Sequence, residues 1–167
     1  MEINVYIANL GKYNEGELVG AWFTLPACED EIAEKIGLNE HYEEYAIHDY
    51  EAPFEIGEYD SLSTLNEIAE LFDDHYNDVA IEYVGEIADY LGIGIVEVFD
   101  KINDIIVYSE CQSWADYARY FIDECGYLDG LPALIANNID YEGVGVELCI
   151  NGSGCFQASD GTIIYCW

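Results

Sequence analysis

Ile3, Val5 and Ile7 stand at alternate positions, and LVGAWFTL at 18–25 is apolar and aromatic, so residues 3–9 and 18–25 are predicted to be strands around a KYNEGE turn. Pro26 ends that meander. In CEDEIAEKIGL, Ile32 and Ile36 lie at helical spacing behind an acidic first turn of Glu29, Asp30 and Glu31, which predicts a short helix stopping near Gly37. EEYAIHDYEAPF alternates weakly around Tyr45 to Tyr50 and completes a small sheet, and Pro53, Gly57 and Ser61 mark a loop and a first boundary. Thr64 with Glu67 has the spacing of a capping box ahead of Leu65, Ile68, Leu71 and Phe72, predicting a helix over 64–76. Two further helical patterns, 79–91 and 94–101, are divided by Gly92 and Gly94. IIVY at 105–108 returns to strand, and Ser113 with Asp116 caps a helix whose apolar face includes Trp114, Tyr117, Phe121 and Ile122. Asp160-Gly161 reads as a hairpin turn between CFQAS and TIIYCW. Residues 140–150 leave two readings open, because alternating valines suit a strand while DYEGVGVELC suits a helix weakened by glycine.

The predicted fold class is therefore α+β, as a chain of three small domains: 1–60 α+β, 61–103 all-helical and 104–167 α+β. At 167 residues with 51% hydrophobic and 14% aromatic content, the chain has the material for a packed core and lacks the signature of disorder. Charge changes the picture. Thirty-five Asp and Glu face only Lys12, Lys35, Lys101 and Arg119, giving a net charge of -31. The three segments carry -13, -9 and -9, so the whole body is acidic and no single tail holds the charge. Such a field repels nucleic acid and anionic membranes and selects a strongly basic partner. Duplex DNA carries one charge per ~1.7 Å, so the chain matches the charge of about 15 base pairs.

Candidate chemistry is thin. His41, His48 and His75 are scattered, no HExxH, CxxC or calcium-loop spacing occurs, and no metal or cofactor is expected. His48 in AIHDY reads as a hydrogen-bonded strand residue, not as a general base. Cys28, Cys111, Cys125, Cys149, Cys155 and Cys166 read as reduced cysteines packed as small apolar residues. The acidic field opposes a catalytic thiolate, and Gly92-Gly94 and Gly152-Gly154 lack the GK[ST] of a phosphate loop. MEINVYIANLG has no basic leader region and no segment has the apolar length of a membrane span, so a cytoplasmic protein without a membrane partner is expected.

What remains is the carboxylate pattern. Glu67, Glu70, Asp73, Asp74, Asp78, Glu82, Glu86 and Asp89 recur every three to four residues through the helical segment, placing much of the series on one side. A merely solvated face would be interleaved with lysine, which is nearly absent throughout. Glu29, Asp30, Glu31 and Glu34 on the first helix, and Asp123 and Glu124, extend the set.

INVYIANLGKYNEGELVGAWFTL at 3–25, EYAIHDYEAPFEIGEYDSLSTLNEIAEL at 44–71, and SWADYARYFIDECG with NIDYEG at 113–143 resemble the ArdA antirestriction proteins of conjugative plasmids and transposons, mobile genetic elements. The resemblance covers nearly the full chain. It implies a DNA mimic that inhibits type I restriction-modification enzymes, an elongated, curved homodimer of three small domains per chain, and a helix at 140–150. YLDGLPALIANNID at 127–140 resembles a segment shared among antirestriction proteins, with Leu128, Asp129, Pro132, Ala136 and Asp140 in place and Gly130 departing from the pattern. Its apolar character suits packing or dimer contact better than phosphate mimicry. The expectation is a non-enzymatic inhibitor that does not bind DNA and occupies the basic cleft of a type I methyltransferase core with its specificity subunit, Asp and Glu carboxylates replacing phosphates. The dimer contact is expected in residues 143–167, whose acids are only Glu147 and Asp160. The rival readings are a halophilic acidic enzyme and a general acidic adaptor for basic DNA-binding proteins.

Overall fold

The computed structural model describes residues 2–152 and 154–167. The chain divides into two compact units, one up to Asp100 and one from Lys101. Both contain helices and a small antiparallel sheet, an α+β fold.

In the first unit, β1 (Ile3–Asn9) is the central strand, flanked by β2 (Gly20–Leu25) and β3 (Tyr45–Glu51) in the order β2-β1-β3. Alternation decides the faces. Ile3, Val5 and Ile7 are buried, while Asn4 and Tyr6 lie on the other side. The β1–β2 connection is more than the expected turn, because it contains a short helix, α1 (Leu10–Asn14). Asn9 explains it: its side-chain oxygen accepts from Lys12 N at 3.0 Å, capping α1. Its amide also donates to the carbonyls of Ile36 and Gly37 at 3.2 Å each, closing the C-terminus of α2 (Glu29–Ile36). One buried polar residue thus satisfies two helix ends at once. Gly37 ends α2 in the left-handed conformation.

α3 (Leu62–Asp74) buries Leu62, Leu65, Ile68, Ala69 and Phe72. Its N-cap is Ser61, so Thr64 lies inside the helix and the expected Thr64–Glu67 capping box does not form. The turn that begins the helix is placed earlier, where Leu62 enters the core at 3% exposure. Asn66 fastens α3 to the segment after β2, accepting from Ala27 N and donating to Ala27 O, both at 2.9 Å. A 3-10 stretch, Val79–Tyr83, leads into α4 (Val84–Leu91), and α5 (Ile95–Phe99) follows, its Glu97 carboxylate accepting from Gly94 N at 2.9 Å.

The second unit holds β4 (Ile106–Tyr108), α6 (Trp114–Glu124), α7 (Ala133–Ala136), α8 (Tyr141–Gly152), β5 (Cys155–Gln157) and β6 (Ile163–Tyr165), with strand order β4-β6-β5. The Asp160-Gly161 hairpin forms as expected, with Gly161 at φ 99° and Cys155 opposite Tyr165. Ser113 caps α6, and residues 141–152 are helix, not strand. α8 meets α6 through Gly145, where a Cβ would run into the Trp114 carbonyl oxygen. The core of this unit gathers Cys111, Tyr117, Cys155 and Ile163, with Trp114 and Leu148 against it.

Candidate acidic interaction surface

Each helix that carries the predicted carboxylates buries its apolar side, and all of these acids except the half-buried Glu86 of α4 are exposed. On α2, Ile32 and Ile36 point inward, while Glu29, Asp30, Glu31 and Glu34 are exposed. On α3, Glu67, Glu70, Asp73 and Asp74 are exposed opposite the Leu65–Ile68–Phe72 side. Beyond α3 the series changes element, so it does not run along one continuous helix. Asp78 is half-buried and caps the 3-10 stretch, accepting from Ala80 N at 3.0 Å, a structural task that the spacing alone does not show. Glu82 is exposed on that stretch, Glu86 is half-buried on α4 and Asp89 is exposed near its end. Asp123 and Glu124 are exposed at the end of α6 in the second unit. Sequence spacing omits other exposed acids, among them Glu40, Glu43, Glu44, Asp49, Glu51, Glu55 and Glu58, because they fall in loops or a strand without helical periodicity.

All four basic side chains lie over aromatic rings of the same chain: Lys12 over Tyr42 at 5.8 Å, Lys35 over Phe23 at 5.0 Å, Lys101 over Trp167 at 4.8 Å and Arg119 over Tyr141 at 4.7 Å. Arg119 also pairs with Asp116 at 3.2 Å. The scarce cations are therefore drawn to ring faces, where ring quadrupole and acidic field act together.

In the segment 127–140, Leu128 and Ala136 are half-buried, Asp129 is exposed, and Pro132 stands at the N-cap of the short α7. Asp140 accepts from Gly143 N at 3.1 Å at the start of α8, so it serves the helix. Leu131, Leu134 and Ile135 are exposed, Leu134 at 80%, so this segment leaves apolar surface uncovered.

Nucleophile chemistry finds little support. Burial pushes the thiols of Cys111, Cys149 and Cys155 upward and that of Cys166 to about 11, which opposes thiolate formation. All six cysteines are free. Cys28 and Cys125, however, are exposed rather than packed, because each sits just outside the buried side of a helix end. His48 is exposed on β3 with its ring edge against Tyr13 at 4.8 Å. A cavity of 470 Å³ beside α4 is lined by apolar groups and by Glu55, Glu86 and Asp89, without serine, cysteine, histidine or lysine. Among the described residues, no group of three or more His, Cys, Asp and Glu is placed to hold a metal, and no helix is long and apolar enough to cross a membrane.

A sequence model of one family, described as antirestriction protein (ArdA), matches residues 5–162. The chain belongs to the ArdA antirestriction protein family. Membership implies antirestriction directed at type I restriction-modification enzymes, in a family of inhibitors not known as enzymes. Comparison with curated proteins gives no match.

Proposed function

We propose that this ArdA family member inhibits a type I restriction-modification enzyme as a DNA mimic, its carboxylates entering the basic cleft of the methyltransferase core and specificity subunit in place of phosphates. The observation that carries this reading is the asymmetry of the surface: helices of both units turn acids outward, while the four cations are held against rings of the chain itself. An acidic surface of that kind is complementary to a DNA-binding cleft and repels DNA. Glu67, Glu70, Asp73, Asp74, Glu82 and Asp89 are the leading phosphate substitutes, with Asp78 and Glu86 less accessible. The threefold organisation belongs to the same proposal, the first sheet lying within residues 1–60 and α3 to α5 within 61–103.

The test is displacement of labelled duplex DNA from a type I methyltransferase. The protein is expected to release the DNA without binding it, and its affinity for the enzyme to fall as salt rises, since association releases counterions from the basic cleft. A stable ternary complex that retains target DNA overturns mimicry.

Homodimerisation is proposed through the second unit. Two chains bring about -62 together, so their contact must be apolar and poor in carboxylates. Val146 and Ile150 on α8 are exposed, Ile150 at 73%, within the acid-poor stretch 143–167, and Leu134 and Ile135 add apolar surface from the preceding segment. Sedimentation at micromolar concentration is expected to give twice the chain mass of 18.8 kDa, and a monomer removes the claim.

A further inference from the structure

The face of the first sheet turned away from Ile3, Val5 and Ile7 carries two cross-strand rows. In one, β1 sets Tyr6 opposite Trp22 of β2 and Asp49 of β3. In the other, Asn4 stands opposite Thr24 and Glu51, joined by hydrogen bonds from Thr24 Oγ1 to Asn4 Oδ1 at 2.7 Å and from Asn4 Nδ2 to Glu51 Oε2 at 3.3 Å. Tyr6 and Trp22 meet edge-on, with centroids 5.7 Å apart and planes at 66°. Gly20 makes room for the phenol, since a Cβ there would stand 2.9 Å from the Tyr6 ring. Trp22 is 44% exposed, with Thr24 exposed on the same strand and Asp49 and Glu51 exposed on β3, across the central strand β1.

Exposing a tryptophan forgoes burial of the largest apolar side chain, and no cation of this chain compensates it, since Lys12, Lys35, Lys101 and Arg119 are all engaged on Tyr42, Phe23, Trp167 and Tyr141. Trp22 thus offers a ring without a cation of this chain, on the same sheet face as the carboxylates of Asp49 and Glu51 across β1. A guanidinium suits that combination better than an ammonium, because it is planar, stacks on a ring and donates sideways to a carboxylate. The bond from Asn4 uses one of about four acceptor sites on Glu51, and that from Tyr50 N at 2.9 Å uses one on Asp49, so both keep capacity for a further donor.

We propose that this face is an arginine-docking platform for a basic protein partner, with an arginine of the partner stacked on Trp22, reaching across Tyr6 and hydrogen-bonded to Asp49 or Glu51. Resting on the mimic reading, it extends it: the acids replace phosphates, and the aromatic pair presents the π-face that a base offers to an arginine of a DNA-binding cleft.

Two measurements test it. In the first, the indole N–H resonance of Trp22, assigned with Trp22→Phe, is followed while hexa-arginine or hexa-lysine peptide is added to the full chain. Hexa-arginine is expected to move that resonance and to bind about three-fold or more tighter than hexa-lysine. Trp22→Ala and the Asp49→Asn/Glu51→Gln double variant are expected to lose the preference, with Trp22→Phe keeping part of it. Equal binding of the two peptides with an unmoved Trp22 overturns the platform. In the second, Trp22→Ala, which leaves the charge at -31, is expected to weaken DNA displacement from the methyltransferase about five-fold, with its melting curve retained. If the wild-type protein displaces DNA and Trp22→Ala does so equally well, the platform falls and mimicry stands. If the wild type displaces no DNA yet selects arginine at Trp22, mimicry falls and the platform stands.

Discussion

Ser113 shows how much one side chain settles locally. Its hydroxyl accepts from Asp116 N at 3.2 Å and donates to Asp116 Oδ2 at 2.6 Å, fixing the first turn of α6. That hydroxyl bond is the main reason the Asp116 carboxyl lies below its usual range, with smaller help from the Gln112 backbone and Arg119 against the opposing effect of burial. A lowered folded pKa means stability that is present above the unfolded value near 4 and lost as pH falls through the folded value. Ser113→Ala is expected to cost about 1 kcal/mol in chemical denaturation at neutral pH, and its difference from wild type should narrow below about pH 4. Cysteines give the opposite sign. Burial first, then Cys155, raises Cys166 from 9.0 to about 11, so its contribution is complete below pH 9 and disappears as pH climbs toward 11. Alkylation of the native protein followed by mass analysis is expected to label Cys28 and Cys125 and to spare Cys111, Cys155 and Cys166. Rapid labelling of Cys166 would contradict its burial.

Among the elements, α6 and α8 make the tightest demand, because their contact has no room for a side chain at Gly145. Gly145→Ala must part the helices or shift the Trp114 backbone, and a loss of about 1–3 kcal/mol is expected by thermal or chemical unfolding. Thr64→Ala, exposed within α3, is expected to stay within about 0.5 kcal/mol of wild type, which separates a first-turn residue from the cap that the spacing suggested. The physical reason why some elements are readable from sequence lies in their local patterns. β1, α2, α4 and the 160–161 hairpin follow from period and turn residues a few positions apart. α8 does not: its covered residues Tyr141, Val144, Gly145, Leu148 and Cys149 keep helical spacing, but exposed Val146 and Ile150 put apolar side chains on the opposite side and blur the 3.6-residue period. α1 is hidden for another reason, since it depends on Asn9, whose second task is with Ile36 and Gly37 far along the chain. Among site residues, helical acids are readable from spacing, whereas the company of Tyr6, Trp22, Asp49 and Glu51 rests on register across three strands, including the irregularity between Tyr6 and Ile7.

For the whole molecule, the question is whether inhibition resides in a discrete site or in the summed field. A catalytic constellation acts as a unit, so removal of one member destroys function. A charged surface acts as a sum, in which one exposed carboxylate among many is screened by water and salt. Single changes Glu70→Gln, Asp74→Asn and Glu82→Gln are therefore expected to weaken DNA displacement by less than about five-fold each. Glutamine and asparagine preserve shape and keep an acceptor oxygen, which matters at Asp78, where asparagine can still cap Ala80 N. Neutralising Glu67, Glu70, Asp73, Asp74, Asp78, Glu82, Glu86 and Asp89 together brings the charge from -31 to -23. Inhibition is expected to decline stepwise along that series, with distant positions adding approximately and the salt dependence becoming shallower at each step. Thermal melting should move the other way or stay level, because every step relieves repulsion among like charges. The same melts at low ionic strength separate this protein from a halophilic enzyme, which would unfold when salt is withdrawn. One isosteric change that abolished inhibition while leaving the melting curve intact would replace the distributed surface with a discrete site.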